Sequence, residues 1–92
     1  MSFCYVLRCK KDNSYYVGAT KDIANRLRKH KEGKVRYTRL RLPIELVFLK
    51  EFPSYSEALK FEKRVKSWKK RKSIEKMLEK PDNISSKQLG VV

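Results

Sequence analysis

Phe3-Cys4-Tyr5-Val6-Leu7-Arg8 and, after a polar break, Tyr15-Tyr16-Val17-Gly18-Ala19 decide the fold. Alternation along the first stretch puts Phe3, Tyr5 and Leu7 on one face and Cys4, Val6 and Arg8 on the other. Its aromatic and β-branched content suits a pleated, half-buried surface. Lys10-Lys11-Asp12-Asn13-Ser14 is turn material, so the two stretches read as an antiparallel hairpin with a somewhat long loop. Gly18 is read as the end of the second strand. Tyr5 and Tyr16 then stand on neighbouring strands, a pairing that ordinarily reflects packing, although buried hydroxyls need partners.

Outward from the hairpin, Thr20 or Asp22 can cap a helix over about 22–31, with Ile23 and Leu27 as its apolar stripe and Ala24 alongside. The basic stretch 33–43, with Gly33 and Pro43 as breakers, reads as a loop. Glu45-Leu46-Val47-Phe48-Leu49-Lys50-Glu51 is a third strand, expected at a central or near-central position. Ser54 and Glu57 have the spacing of a capping box and open a long helix. That helix is expected to reach about residue 70, to continue or restart through 73–80, and to stop at Pro81. The expectation is an α+β domain over residues 1–80, a small three-stranded antiparallel sheet flanked by helices, followed by a flexible tail over 81–92.

Charge bounds the partner. The 92 residues carry 24 Lys and Arg against 10 Asp and Glu, a net charge of +14. Such self-repulsion usually serves a polyanion. No apolar run approaches the ~20 residues of a spanning helix, which argues against a membrane. Cys4 and Cys9, five apart on a strand, point to opposite faces, so reduced thiols, no disulfide-linked partner and a cytoplasmic or nucleoid-associated setting are expected. Residues 21–41 hold nine basic residues against Asp22 and Glu32, and 60–80 hold ten against Glu62, Glu75 and Glu79. Lys21, Arg28, Lys29, Lys34, Arg36 and Arg39 in the first stretch, with Lys69, Lys70, Arg71 and Lys72 in the second, are the expected nucleic-acid contacts. They would hold phosphates with salt-sensitive, largely sequence-independent affinity. Trp68 could stack on an unpaired base, although its place on the apolar side of its helix favours core packing.

One carboxylate stands out of pattern. Counting about 100° per residue from Ala58, an apolar arc through Phe61, Val65, Trp68 and Leu59 encloses Glu62. A carboxylate there is costly unless it is paired, protonated or bound to a metal. A salt bridge to an arginine of the first helix is the plainer alternative. Arg26 and His30, four residues apart, share a face beside the Ile23–Leu27 stripe. A solvated cation and a surface histidine are the plainer readings of these two.

These residues resemble the GIY-YIG nuclease superfamily. Phe3-Cys4-Tyr5 stands where its first tripeptide would be and Tyr16-Val17-Gly18 where its second would be. Arg26 occupies the position of the family's catalytic arginine, His30 that of a histidine or tyrosine near the active site, and Glu62 that of the metal-binding glutamate. The resemblance covers about residues 3–72 and is closest to the small standalone (YhbQ-like) members. It departs at Phe3, where the family has glycine, at Ser73-Ile74, where some members carry an asparagine, and in having no appended DNA-binding domain.

The resemblance implies a metal-dependent endonuclease hydrolysing phosphodiester bonds in DNA, structure-specific and serving repair or recombination. The catalytic set would be Tyr5, Tyr16, Arg26, His30 and Glu62. One Mg²⁺ or Mn²⁺ on Glu62 would be the cofactor, Arg26 the phosphate clamp, and Tyr5 or Tyr16 the group acting on the attacking water. His30 would relay a proton or hold a tyrosine, and Gly18 would serve structurally, as a tight turn beside the site. The alternative is a non-catalytic nucleic-acid-binding module, for DNA or RNA, that retains the nuclease fold. A larger protein that targets the chain is a further expected partner.

Overall fold

The computed structural model describes residues 1–68 and 70–79. The hairpin forms as the alternation dictates, with β1 over Ser2–Cys9 and β2 over Ser14–Thr20 pairing antiparallel, Tyr5 opposite Gly18 and Leu7 opposite Tyr16. Asn13, at a φ of 62°, closes the turn in the left-handed region that asparagine tolerates. Asp22 is the cap of α1 (Ile23–Lys31), its side chain accepting from the Asn25 N–H. Arg28, Lys29 and Lys31 crowd the last turn of α1, where the helix dipole favours cations.

The expected loop over 33–43 contains a short helix, α2 (Arg36–Arg39), with no side-chain cap at Val35. Four residues are too few to show a helical period, so no pattern could announce it. β3 (Ile44–Phe52) follows. The sheet order is β2-β1-β3, so the third strand is an edge and the first strand is the centre. The apolar reading of β3 failed to separate these cases because helices cover both faces of the sheet. Burial by layers above and below writes an apolar run at an edge as well as at a centre. A bulge places Val47 between the Val6–Phe48 and Leu7–Leu46 pairs, which lets Leu46 and Leu49 face the same side.

Ser54 caps α3 (Tyr55–Ser67) by accepting from the Glu57 N–H, as its spacing predicts. The helix ends short of residue 70. The Ser67 hydroxyl donates to the Arg64 carbonyl, and Trp68 is extended and packs partly buried against the apolar layer under the sheet. The chain restarts as α4 (Arg71–Leu78). Two layers of core result. Tyr5, Leu7, Cys9, Ile44, Leu46 and Leu49 meet Leu27 of α1 on one face. Cys4, Val6, Val17 and Phe48 meet Val65 of α3 and Met77 of α4 on the other. The two cysteines lie on opposite faces, free and buried. Among the described residues no helix is long and apolar enough to cross a membrane. The expected stop at Pro81 and tail over 81–92 lie outside them.

Candidate functional site

Tyr5 is completely buried in the middle of the central strand, opposite Gly18. A β-carbon on Gly18 would stand 2.5 Å from the Tyr5 hydroxyl and 2.6 Å from the ring carbon that carries it. Gly18 is therefore not a turn at a strand end. It is a mid-strand residue whose missing side chain leaves room for the phenol to cross β2, a close approach that only glycine permits.

Past Gly18 the hydroxyl meets α1. Arg26 Nε–H donates to Tyr5 Oη at 3.1 Å, and His30 Nε2 lies 3.0 Å from the same oxygen. His30 Nδ1 lies 2.8 Å from Thr38 Oγ1 of α2, and the Thr38 hydroxyl donates to the Val35 carbonyl. One placement of the protons satisfies all of these contacts at once. With its own proton on Val35, Thr38 accepts from His30 Nδ1–H, which leaves Nε2 to accept from Tyr5 O–H. The chain runs one way, Arg26 Nε to Tyr5 to His30 to Thr38 to Val35, with each proton along it donated to the next member.

Electrostatics follow from burial. His30 is fully buried, and burial first and Arg26 second push its pKa down to about 4, so it is a neutral imidazole near pH 7. Burial likewise pushes the Tyr5 hydroxyl above the usual phenol range, against the opposing pull of the Arg26 hydrogen bond. The bond to Tyr5 in turn raises Arg26. Neither buried member is a surface group, contrary to the plainer reading of His30. Thr38 was missed in the sequence, because a threonine in a basic segment carries no signal without its partner.

Tyr16 completes the cluster from β2. Its ring lies edge-on to His30 at 4.9 Å and tilted to Tyr5 at 6.2 Å, and it adds to the upward push on Arg26. Unlike Tyr5 it is only partly buried and lines an open cleft. Glu62 approaches from α3. Its side chain keeps 15% of its exposure and is ion-paired with Lys66, one turn on, at 2.5 Å. The expected alternative partner, an arginine of α1, is not the one it takes. Glu62 is close enough to be felt by Cys4, whose thiol burial pushes up to about 12 with the carboxylate adding to the rise, and by Tyr5. Four of the five expected residues, Tyr5, Tyr16, Arg26 and His30, thus meet, while Glu62 on α3 acts on Tyr5 through its charge and touches Lys66.

Among the described residues no group of three or more His, Cys, Asp and Glu gathers as a metal cage. A lone, inward carboxylate matches instead the magnesium mode, in which one or two carboxylates suffice and water and phosphate complete the octahedron. Of the expected nucleic-acid contacts, Lys21, Arg28, Lys29, Lys34, Arg36, Arg39, Lys70, Arg71 and Lys72 are exposed, while Lys69 lies outside the described residues. Several are partly occupied: Arg28 and Lys34 with Glu32, Arg71 with Glu75, and Lys21 over the Tyr55 ring.

Sheet order, hairpin tyrosines, helix arginine and long-helix glutamate define a domain of a nuclease family. The chain belongs to that family: the GIY-YIG catalytic domain matches it over residues 1–76. Its relatives within the family are small UPF0213 proteins. It is 40% identical to UPF0213 protein SSP2268 of Staphylococcus saprophyticus over 78% of this chain and 88% of that one. To a UPF0213 protein of Streptococcus pneumoniae it is 40% identical over 88% and 82%. Among solved structures it is similar to the solution NMR structure of UPF0213 protein BH0048 from Bacillus halodurans, with a TM-score of 0.59, 35% identity and full coverage of both chains.

Proposed function

We propose that this chain is a divalent-metal-dependent endonuclease that hydrolyses phosphodiester bonds in DNA, acting on branched, nicked or single-stranded structures of repair and recombination. The observation that carries the reading is the meeting of Tyr5, passing over Gly18, with Tyr16, Arg26 and His30, within electrostatic reach of the half-buried Glu62. Glu62 would hold Mg²⁺ or Mn²⁺, which supplies Lewis-acid stabilisation at phosphorus.

The chain's own groups divide the remaining work. Arg26 is half-buried and held through Nε by Tyr5, so the outer part of its planar fork is aimed in advance at phosphate oxygens. Tyr5, raised and sealed from solvent, stays a phenol and fixes Arg26 and His30 in place. Tyr16, at the cleft and beside Arg26, is the hydroxyl placed to orient and deprotonate the attacking water. His30 holds Tyr5 and carries no charge. Lys66 must release Glu62 for a metal to enter, after which its ammonium is free for the substrate strand.

Incubation with duplex, flapped, branched and single-stranded DNA in Mg²⁺ or Mn²⁺ tests the proposal. Cleavage by the wild type, abolished in Glu62→Ala and Arg26→Ala, is the expected result. The existing Lys66 pairing of the single carboxylate favours a second reading, a non-catalytic nucleic-acid-binding module for DNA or RNA in the cytoplasm that a larger protein directs. Strong binding unmoved by chelator, with no cleavage of any substrate, would select it, and RNA competition would assign the nucleic acid.

A further inference from the structure

Beside the cluster, at the outer edge of β2, a cleft of about 310 Å³ is lined by Tyr15, Tyr16, Tyr37, Lys66, Trp68 and Ile74. That volume sits at the small end of the range for ligand sites. Four aromatic side chains from three segments meet there, and one of them, Tyr16, belongs to the proposed catalytic set. Tyr37 is 39% exposed, its ring 5.4 Å from that of Tyr16 and tilted by 41°. Cations stand around the aromatics: Arg41 over Tyr37 at 4.1 Å, Arg71 over Tyr15 at 4.3 Å, and Lys66 in the wall.

A second cleft, lined by Ala19, Thr20, Lys21, Arg26 and Tyr55, lies further along β2, and it too pairs a cation with a ring, Lys21 over Tyr55. Tyr16 lines the first cleft and Arg26 the second, and Tyr5 joins them, its hydroxyl bonded by Arg26 and its ring 6.2 Å from that of Tyr16. The phosphate that Arg26 clamps is therefore flanked by an aromatic cleft with a positive rim. Flat apolar rings edged by cations fit an unstacked base on its phosphate backbone, whereas a base inside a duplex presents no face to stack on. An anionic lipid would match the charge but not a cleft walled by tyrosine and tryptophan faces.

We propose that the Tyr16–Tyr37–Trp68 cleft receives an unpaired nucleobase adjacent to the phosphate at Arg26, so that this chain selects strands with at least one unstacked nucleotide. The inference rests on the nucleic-acid reading above and names its substrate feature. Arg41 and Arg71 hold the neighbouring phosphates, and base identity matters little, because every base has a face to stack.

The single tryptophan of the chain is its own reporter. Its fluorescence is followed in chelator, so that nothing is cut, as three 12-mers are added: oligothymidylate, an abasic tetrahydrofuran strand of equal charge, and a blunt duplex. The expected result is quenching by oligothymidylate, with about ten-fold tighter binding than the abasic strand. Tyr37→Ala should erase that preference and Tyr37→Phe should keep it, while circular dichroism verifies that both fold. An oligouridylate arm separates RNA from DNA as the source of the base. Equal binding of all three 12-mers by wild type and Tyr37→Ala overturns the cleft and leaves the electrostatic binding reading standing. Failure to bind any of them at low salt overturns both.

Discussion

Toward α3 and α4 the sheet is backed by Cys4, Val6, Val17, Phe48, Val65 and Met77, an apolar layer. Toward α1 it is backed by Tyr5, Leu7, Cys9, Leu27 and the β3 leucines, but His30 and Thr38 are fully buried there as well. One strand, β1, feeds both layers through alternate residues. The difference shows how so short a chain houses a polar cluster: one face supplies stability, and the other gives part of its core to a hydrogen-bonded line that ends at the half-buried Arg26. No buried side-chain polar atom among the described residues lacks a partner, so the polar face is not a weak core. It is a core whose stability depends on each partner being present.

The largest expected effect lies on the apolar face. Phe48 is 1% exposed and its ring lies 6.0 Å from that of Phe61, nearly parallel to it. Phe48→Ala should cost about 3–5 kcal/mol by urea denaturation, through lost transfer energy and a cavity. The NMR titration of His30 in the surviving folded fraction should not move. A moved His30 would mean that the two faces are one cooperative unit and not two.

The polar face should answer to pH where the apolar face does not. The folded-state pKa of His30 is depressed, so between its unfolded value near 6.5 and the folded value of about 4 the unfolded chain binds a proton that the folded chain refuses. Stability is therefore complete above pH 6.5 and falls as pH drops to 4, by about 3 kcal/mol in all. Carboxylates titrate at the low end of the same range, so the comparison is with His30→Gln, whose pH dependence should be flatter by that amount. Equal slopes in the two proteins would place a charged imidazole in the folded state and break the hydrogen-bond chain at its centre.

Gly18 tests the passage between the cluster and the sheet. Because the Tyr5 ring is buried and tied down at its hydroxyl, it cannot swing away from a new methyl group 2.5 Å from that oxygen. Gly18→Ala should cost about 1–3 kcal/mol, the usual penalty of overpacking, and should displace the Arg26 fork. Any cleavage activity should fall further than that loss of stability accounts for. A variant as stable and active as wild type would show that the phenol is mobile.

Much of this was legible before the structure. Alternation placed Tyr5 and Tyr16 on paired strands, and local chemistry placed the Asp22 and Ser54 caps, because both are short-range rules written in neighbouring residues. Helical spacing put Arg26 with His30 and turned Glu62 inward. Three features were not legible. The edge position of β3 is hidden by helices that bury both its faces. Gly18 reads as a turn until Tyr5 is seen crossing it. Thr38 acts only through a histidine eight residues away, on a helix too short to leave a period.

Thr38 also gives the smallest and sharpest test. Valine matches threonine in shape and removes the one oxygen that accepts from His30 Nδ1–H, so Thr38→Val should leave the packing intact and orphan a buried donor. The expected cost is about 1 kcal/mol, the low end for such a loss. The informative readout is the imidazole ¹⁵N spectrum. In the wild type, the Thr38 hydroxyl donating to the Val35 carbonyl selects the Nδ1–H tautomer, with Nε2 accepting from Tyr5. In the variant nothing holds that proton on Nδ1, and the spectrum should shift toward a tautomer mixture, with Tyr5 losing its fixed acceptor. If the wild type already carries its proton on Nε2, the Tyr5 hydroxyl accepts from both neighbours and its own proton must point elsewhere. The polar line would then end at Tyr5, and α2 would be a bystander and not the far anchor of the site.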